Sequence, residues 1–210
     1  MADSPHQLLA RDSRDVLLPG AQTGDLRRRD RNVCRSPDRA SAWEHMSRAG
    51  KRVAVIDAPF GRPTDGLNGV QITNWGVHDS WSWPRSSWPS GLIHEVVDRF
   101  GEHPVPYCDA PDPSLADYEV LRAGLIEGVR RKANLLRHHL AQEDWDFFLG
   151  VFSESHCAGH QFWHLMDPSH PRHAASAPPS LHWTIRDVYR AIDAGVGGSC
   201  ATCQRRCPFS

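Results

Sequence analysis

The chain has 210 residues, a formal net charge of −1 at pH 7 and 40% hydrophobic residues. This length can bury a hydrophobic core, and the balanced charge gives no overall basic excess that would indicate nucleic-acid binding. No apolar stretch approaches the roughly 20 residues that span a bilayer, and residues 1–15 lack the apolar segment of a secretory signal. We therefore expect a cytoplasmic protein that binds neither nucleic acid nor membranes, with its six cysteines as reduced thiols.

Composition divides the chain into three parts. Residues 1–41 are rich in arginine and aspartate without a sustained apolar period, which predicts a poorly specified, solvated segment. Residues 42–198 carry the apolar patterns of an ordered domain, and residues 199–210 form a short tail. Three of the six cysteines fall in that tail: Cys200, Cys203 and Cys207. Three cysteines without a second C-x-x-C pair are too few for a zinc or iron–sulfur site, so we expect an unstructured tail.

The ordered part begins with an α/β unit. The segment Ala42–Arg48 predicts a short helix that Gly50 ends. Residues 51–59 then contain the apolar run of a buried strand, with Asp57 at its end. A helix, a glycine and a buried strand in this order are typical of α/β proteins.

Residues 60–90 are rich in glycine, proline and tryptophan. The turn Asn68-Gly69 precedes a short strand at residues 70–73. The remainder predicts a long irregular loop that carries four tryptophans: Trp75, Trp81, Trp83 and Trp88. Such a loop is either a functional lid or a segment whose tryptophans pack onto the core, and the sequence leaves both open.

The second half of the chain predicts three helices and one strand. The helices are expected at residues 91–100, 114–140 and 181–193, and the buried strand at residues 145–152. The longest helix begins with a serine followed three residues later by an aspartate, which is typical of a capping box.

Polar residues follow the strand at 145–152, where open α/β sheets commonly bind ligands. His156 and His160 are four positions apart, and a helix over residues 156–164 would place them and His164 on one face. Imidazole is a good ligand for zinc and other first-row divalent ions. The same spacing also arises by chance on ordinary helix surfaces, so the spacing alone fits both a metal site and an ordinary exposed helix face.

Three stretches of the chain resemble the alkaline phosphatase superfamily, in its type I phosphodiesterase/nucleotide pyrophosphatase branch. Residues 50–59, GKRVAVIDAP, are similar to a strand in the middle of that fold. Residues 146–171 resemble the D-x-x-x-H metal motif of the family and its W-x-x-x-D-P continuation, which begins here at Trp163. Residues 187–193, DVYRAID, resemble the helix that follows. The resemblance covers residues 42–198.

The resemblance implies a partial alkaline-phosphatase-like α/β sheet flanked by helices, and a metal-dependent phosphoester or phosphodiester hydrolase that acts on a small-molecule phosphoester. The implied metal ligands are His156, which replaces the usual aspartate of the family, and His160. The implied ion is zinc, with manganese as the alternative. Glu154 and His164 lie beside the pair in the sequence and are candidates to orient the metal-binding imidazoles; the alternative for Glu154 is an ordinary loop carboxylate.

The residues that perform catalysis in that family have no counterpart here. The family uses a Thr or Ser nucleophile with an aspartate near the start of the domain, and a later D-H-G motif; Asp65-Gly66 instead lies in the loop. We therefore assign no catalytic residue and expect an internal fragment of such a hydrolase, inactive alone. The alternative is a non-catalytic accessory module that binds a metal through histidines or binds none.

Overall fold

The computed structural model describes most of the chain beyond its first 39 residues. The described ranges are 40–59, 62–76, 84–105 and 113–206, with side chains described as far as residue 198. The expectations for residues 1–39, for Trp81 and Trp83, and for Cys207 lie outside the described residues. Within the described ranges, no helix is long and apolar enough to cross a membrane.

The described strands form one mixed sheet. They are β1 (Val53–Ile56), β2 (Gly69–Thr73), β3 (Ser86–Trp88) and β4 (Phe147–Gly150). The order across the sheet is β3-β2-β1-β4, in which β1 is parallel to β2 and β4, and β3 is antiparallel to β2. Every residue of β1 is fully buried, as the unbroken apolar run VAVI predicts, whereas β4 is only half-buried.

Helices pack around this sheet. They are α1 (Ala42–Arg48), α2 (Leu92–Phe100), α3 (Leu115–Gln142), α4 (Glu154–Met166), α5 (Pro179–His182) and α6 (Thr184–Arg206). The α/β class expected from the sequence is confirmed. The capping box at the start of α3 is also confirmed, since the Ser114 hydroxyl accepts a hydrogen bond from the backbone N–H of Asp117.

Three elements differ from the expectations. The helix expected at residues 181–193 is interrupted at Trp183, so Pro179–His182 forms α5 and α6 begins at Thr184. Strand β3 lies inside the stretch for which only one strand was expected. The sequence did not predict it because its three residues are too few to show a period. Helix α6 runs on to Arg206, so the backbone of residues 199–206 is helical where an unstructured tail was expected. Its glycines disfavour a helix, but at Gly195 the bare backbone lies close against Ala133 of α3, and this packing overrides the weak propensity.

Helix α3 joins two hydrophobic clusters. Its N-terminal and middle turns contribute Leu125 and Val129 to a cluster that also contains Phe162 of α4 and Val188 of α6. Its second half contributes Leu135 and other residues to a cluster under the sheet. The helix that faces the sheet therefore also fixes α4, the helix that follows β4.

The carboxyl ends of β1, β2 and β4 meet at one edge of the sheet, because these three strands run in the same direction. Asp57 follows β1 and Asn74 follows β2, and both adopt left-handed backbone conformations, with φ of 57° and 60°. Glu154 begins α4 shortly after β4. Non-glycine residues seldom adopt positive φ, and such residues cluster at functional sites.

Candidate functional site

An exposed pair of histidines lies on the first two turns of α4. The ring centroids of His156 and His160 are 4.4 Å apart, and both side chains are exposed. Together with Ser155, Gly159 and Trp163 they line an open depression on the surface. The expected helix and the shared face of this pair are therefore confirmed. Two neighbouring imidazoles on consecutive turns have the chemistry and the proximity that a shared divalent ion needs.

His164 lies one turn beyond His160 but does not line the depression. It is half-buried, and its ring contacts Tyr118 and His170, with centroid separations of 5.5 and 6.1 Å. Burial and the positive charge of Arg172 lower the pKa of His164. Its ring therefore packs against α3 and the loop after α4, which gives no support to the expectation that it orients the exposed pair.

Glu154 points into the protein, in the opposite sense to the exposed pair. Its side chain is 1% exposed, and its Oε1 accepts a hydrogen bond of 3.0 Å from Nε2 of His103. The structure gives no direct support to the expectation that Glu154 orients an exposed imidazole, because this carboxylate contacts His103. The reason is that residue 154 lies about 200° around the helix from residue 156, a step of 100° per residue.

Lys132 of α3 is the centre of a buried ionic cluster. Its ammonium lies 2.8 Å from Oδ2 of Asp57 and 3.8 Å from Oε1 of Glu154, and it donates a hydrogen bond of 3.0 Å to the carbonyl of Gly76. The Lys132 side chain is completely buried. A single ammonium thus connects the segments that follow β1, β2 and β4. We call Asp57, Lys132, Glu154 and His103 the buried cluster.

Asp57 is held on both of its carboxylate oxygens. Oδ1 accepts a hydrogen bond from the backbone N–H of Trp75 and Oδ2 from that of Gly76, each at 2.9 Å. The left-handed backbone of Asp57 accompanies this arrangement, in which the carboxylate reaches across to the end of β2. The strain of positive φ is offset by two charge-assisted hydrogen bonds and the Lys132 ion pair.

Burial and ion pairing oppose one another in the buried cluster. Burial alone would lower the pKa of Lys132, but the charges of Asp57 and Glu154 outweigh it and raise that pKa. Burial alone would raise the pKa of Glu154, but Lys132 and the hydrogen bond from His103 outweigh it and lower that pKa. Both groups therefore remain charged at neutral pH, as buried charges do only when they are paired.

The sequence carried one missed signal for this cluster. Lys132 falls on the apolar face of α3, three residues after Val129 and four before Leu136. A lysine on a buried face requires a partner, so it indicates an ionic contact inside the protein. His103 had no comparable signal, because it lies in an irregular segment beside a proline.

Comparisons of the chain with models of protein families, with curated proteins and with solved structures found no match.

Proposed function

We propose that the chain is a member of a metal-dependent phosphoester or phosphodiester hydrolase family of the alkaline phosphatase type, and that His156 and His160 are two ligands of its divalent ion. The observation that carries the proposal is the close approach of these two exposed imidazoles, 4.4 Å between ring centroids, on the helix that directly follows β4. Zinc is the ion proposed, with manganese as the alternative.

The location of the pair supports this proposal. The depression beside the pair is open to solvent and includes the indole of Trp163, which is 49% exposed. An ion held there would be accessible to a small phosphoester from solution.

The chemistry of the pair fits zinc. Imidazole nitrogens bind zinc at roughly 2.0–2.1 Å, and zinc commonly takes four ligands. Two histidines would therefore leave positions for oxygens of water or of a phosphoester. A bound divalent ion polarises a phosphoryl oxygen and lowers the pKa of bound water. The residues of the chain would hold the ion and present it to solvent.

We further propose that the chain binds the ion without catalysing hydrolysis alone. Among the described residues, no group of three or more His, Cys, Asp or Glu side chains could hold a metal ion. A two-metal clamp on the attacking and leaving oxygens needs more ligands than His156 and His160. The second candidate is a non-catalytic module that binds one ion through its histidines.

Zinc titration by calorimetry tests the metal site. The wild-type chain is compared with the double variant His156→Ala/His160→Ala and with His94→Ala, a control that removes an exposed histidine from α2. We expect one zinc ion per wild-type chain, unchanged binding in the control and loss of binding in the double variant. Equal binding by the double variant and the wild type would exclude the metal role of the pair.

A second assay tests whether the chain catalyses hydrolysis alone. The wild-type chain is incubated with a chromogenic phosphodiester and added zinc or manganese, and the expected result is no turnover. Turnover that His160→Ala abolishes would instead show a complete hydrolase and would exclude the non-catalytic module.

A further inference from the structure

We infer that Glu154 is a positioning residue for the exposed histidine pair, and that Lys132 and His103 hold it in place. The inference concerns the start of α4 and rests on the proposed metal site. It assigns a role to the buried cluster, which has no place in the metal-binding step itself.

The first turn of α4 has no side-chain cap. Ser153 precedes the helix with a helical backbone, φ −78° and ψ −10°, and its side chain makes no capping hydrogen bond. Helices α1 and α3 each begin with a complete capping box, made by Ser41 and Ser114. An uncapped helix of 13 residues is marginal in water unless tertiary contacts hold it.

Glu154 supplies such a contact at the first residue of α4. Its Oε1 is 3.0 Å from Nε2 of His103 and 3.8 Å from the ammonium of Lys132, and the carboxylate is 1% exposed. A negative charge in the first turn is also favourable to the helix dipole. The buried cluster therefore fixes the first residue of α4 through side-chain contacts, whereas the capping boxes fix the starts of α1 and α3 through hydrogen bonds from backbone N–H groups.

The pair depends on this first turn because its two members lie on different turns. His156 is the third residue of α4, whereas His160 lies one turn further into the helix. The first backbone hydrogen bond of the helix, from the N–H of Cys157 to the carbonyl of Ser153, measures 3.2 Å. If the first turn opened, His156 would leave the shared face and His160 would remain.

The energetics favour a positioning role over a purely stabilising one. Burying an ammonium and two carboxylates is costly, and replacing such a group with apolar residues of similar volume is often neutral or stabilising. The charges of Lys132 and Glu154 are therefore poorly explained by stability alone. What they add is a single defined position for the start of α4 relative to the sheet edge.

Two measurements test the inference. Amide hydrogen exchange at Cys157 is followed in the metal-free protein, and zinc affinity is measured by calorimetry. We expect Glu154→Gln to speed exchange at Cys157 and to weaken zinc binding, each by about fivefold, which corresponds to the roughly 1 kcal/mol lost with a helix cap. Glu127→Gln, which removes a carboxylate from the surface of α3, is the matched control and should change neither.

A second pair of variants covers the case in which Glu154→Gln does not fold. His103→Gln retains a side chain able to donate a hydrogen bond to Glu154, whereas His103→Leu removes the donor. We expect faster exchange at Cys157 and weaker zinc binding in His103→Leu, with both largely restored in His103→Gln.

The outcomes distinguish this inference from the proposed function. Zinc binding that is absent in the wild type, or unchanged in His156→Ala/His160→Ala, would overturn the metal site itself. If zinc binding requires the pair but is unaffected by Glu154→Gln or by His103→Leu, the positioning role is overturned and the metal site stands. This holds whatever the amide exchange rate at Cys157. Unchanged exchange at Cys157 in these variants would overturn the positioning role as well.

Discussion

The ammonium of Lys132 lies 2.8 Å from Oδ2 of Asp57, and neither side chain is exposed. This ion pair joins the middle of α3 to the end of β1, one of the two inner strands of the described sheet. Because α3 also packs against α4, the pair connects the sheet to the helix that carries the exposed histidines.

Replacing Lys132 by methionine should strongly destabilise the protein. The change leaves the carboxylates of Asp57 and Glu154 buried without their ammonium, and breaking a buried ion pair in this way costs about 3–5 kcal/mol. Urea denaturation followed by circular dichroism measures the loss in the free energy of unfolding.

The matched control is Lys51→Met, because the ion pair of Lys51 with Asp146 is exposed and contributes little. If Lys132→Met lowers the free energy of unfolding by no more than Lys51→Met does, the buried ion pair is not needed to hold the fold.

The stability of the protein should fall as the pH falls from about 6.5 to about 4, because of His139. Both ring nitrogens of this buried histidine have no hydrogen-bond partner. Burial and the neighbouring His138 lower the pKa of His139 from 6.5 to about 4. The unfolded chain therefore takes up a proton that the folded protein does not, which lowers stability by about 1.4 kcal/mol for each pH unit in this window.

Denaturation at a series of pH values tests this expectation. His139→Leu should reduce the slope of unfolding free energy against pH between 6.5 and 4. Leu135→Ala is the control, since it destabilises the same helix without removing a titrating group, and it should keep the wild-type slope. Equal slopes in wild type and His139→Leu would show that His139 is not the group responsible.

Apolar periodicity predicted much of the fold because it reports burial directly. The unbroken run of β1 and the capped, periodic α3 were both evident from the sequence. Residue spacing also predicted that His156 and His160 share a face, since both lie on one helix. The contact of His103 with Glu154 joins residues 51 positions apart, so it depends on how the elements pack and has no local pattern.

Two helical glycines should respond in opposite ways to substitution by alanine. A Cβ at Gly128 of α3 would overlap the ring of His103 and lie 3.4 Å from Oε1 of Glu154, so we expect a loss of about 1–3 kcal/mol in stability. A Cβ at Gly159 of α4 would meet nothing within 4 Å, so we expect a gain of about 0.5–1 kcal/mol.

Thermal denaturation of the two variants provides the measurement. Zinc affinity should be retained in Gly159→Ala, because the added methyl group leaves both imidazoles in place. A stability loss in Gly159→Ala comparable to that in Gly128→Ala would contradict the open surroundings of Gly159.

The close approach of β2 to β1 should make Gly69 irreplaceable. Gly69 has φ of 141° and is in register with Val53, and a Cβ at this position would overlap the Val53 carbonyl. Gly69→Ala combines backbone strain with a clash against an immovable backbone atom, so we expect a loss of about 3 kcal/mol or more. Gly66→Ala is the control, because Gly66 also has a positive φ, 77°, but no atom lies within 4 Å of an added Cβ. We expect this variant to lose about 1 kcal/mol of stability, from backbone strain alone. Urea denaturation of the two variants gives the comparison, and equal losses would mean that backbone strain alone decides both positions.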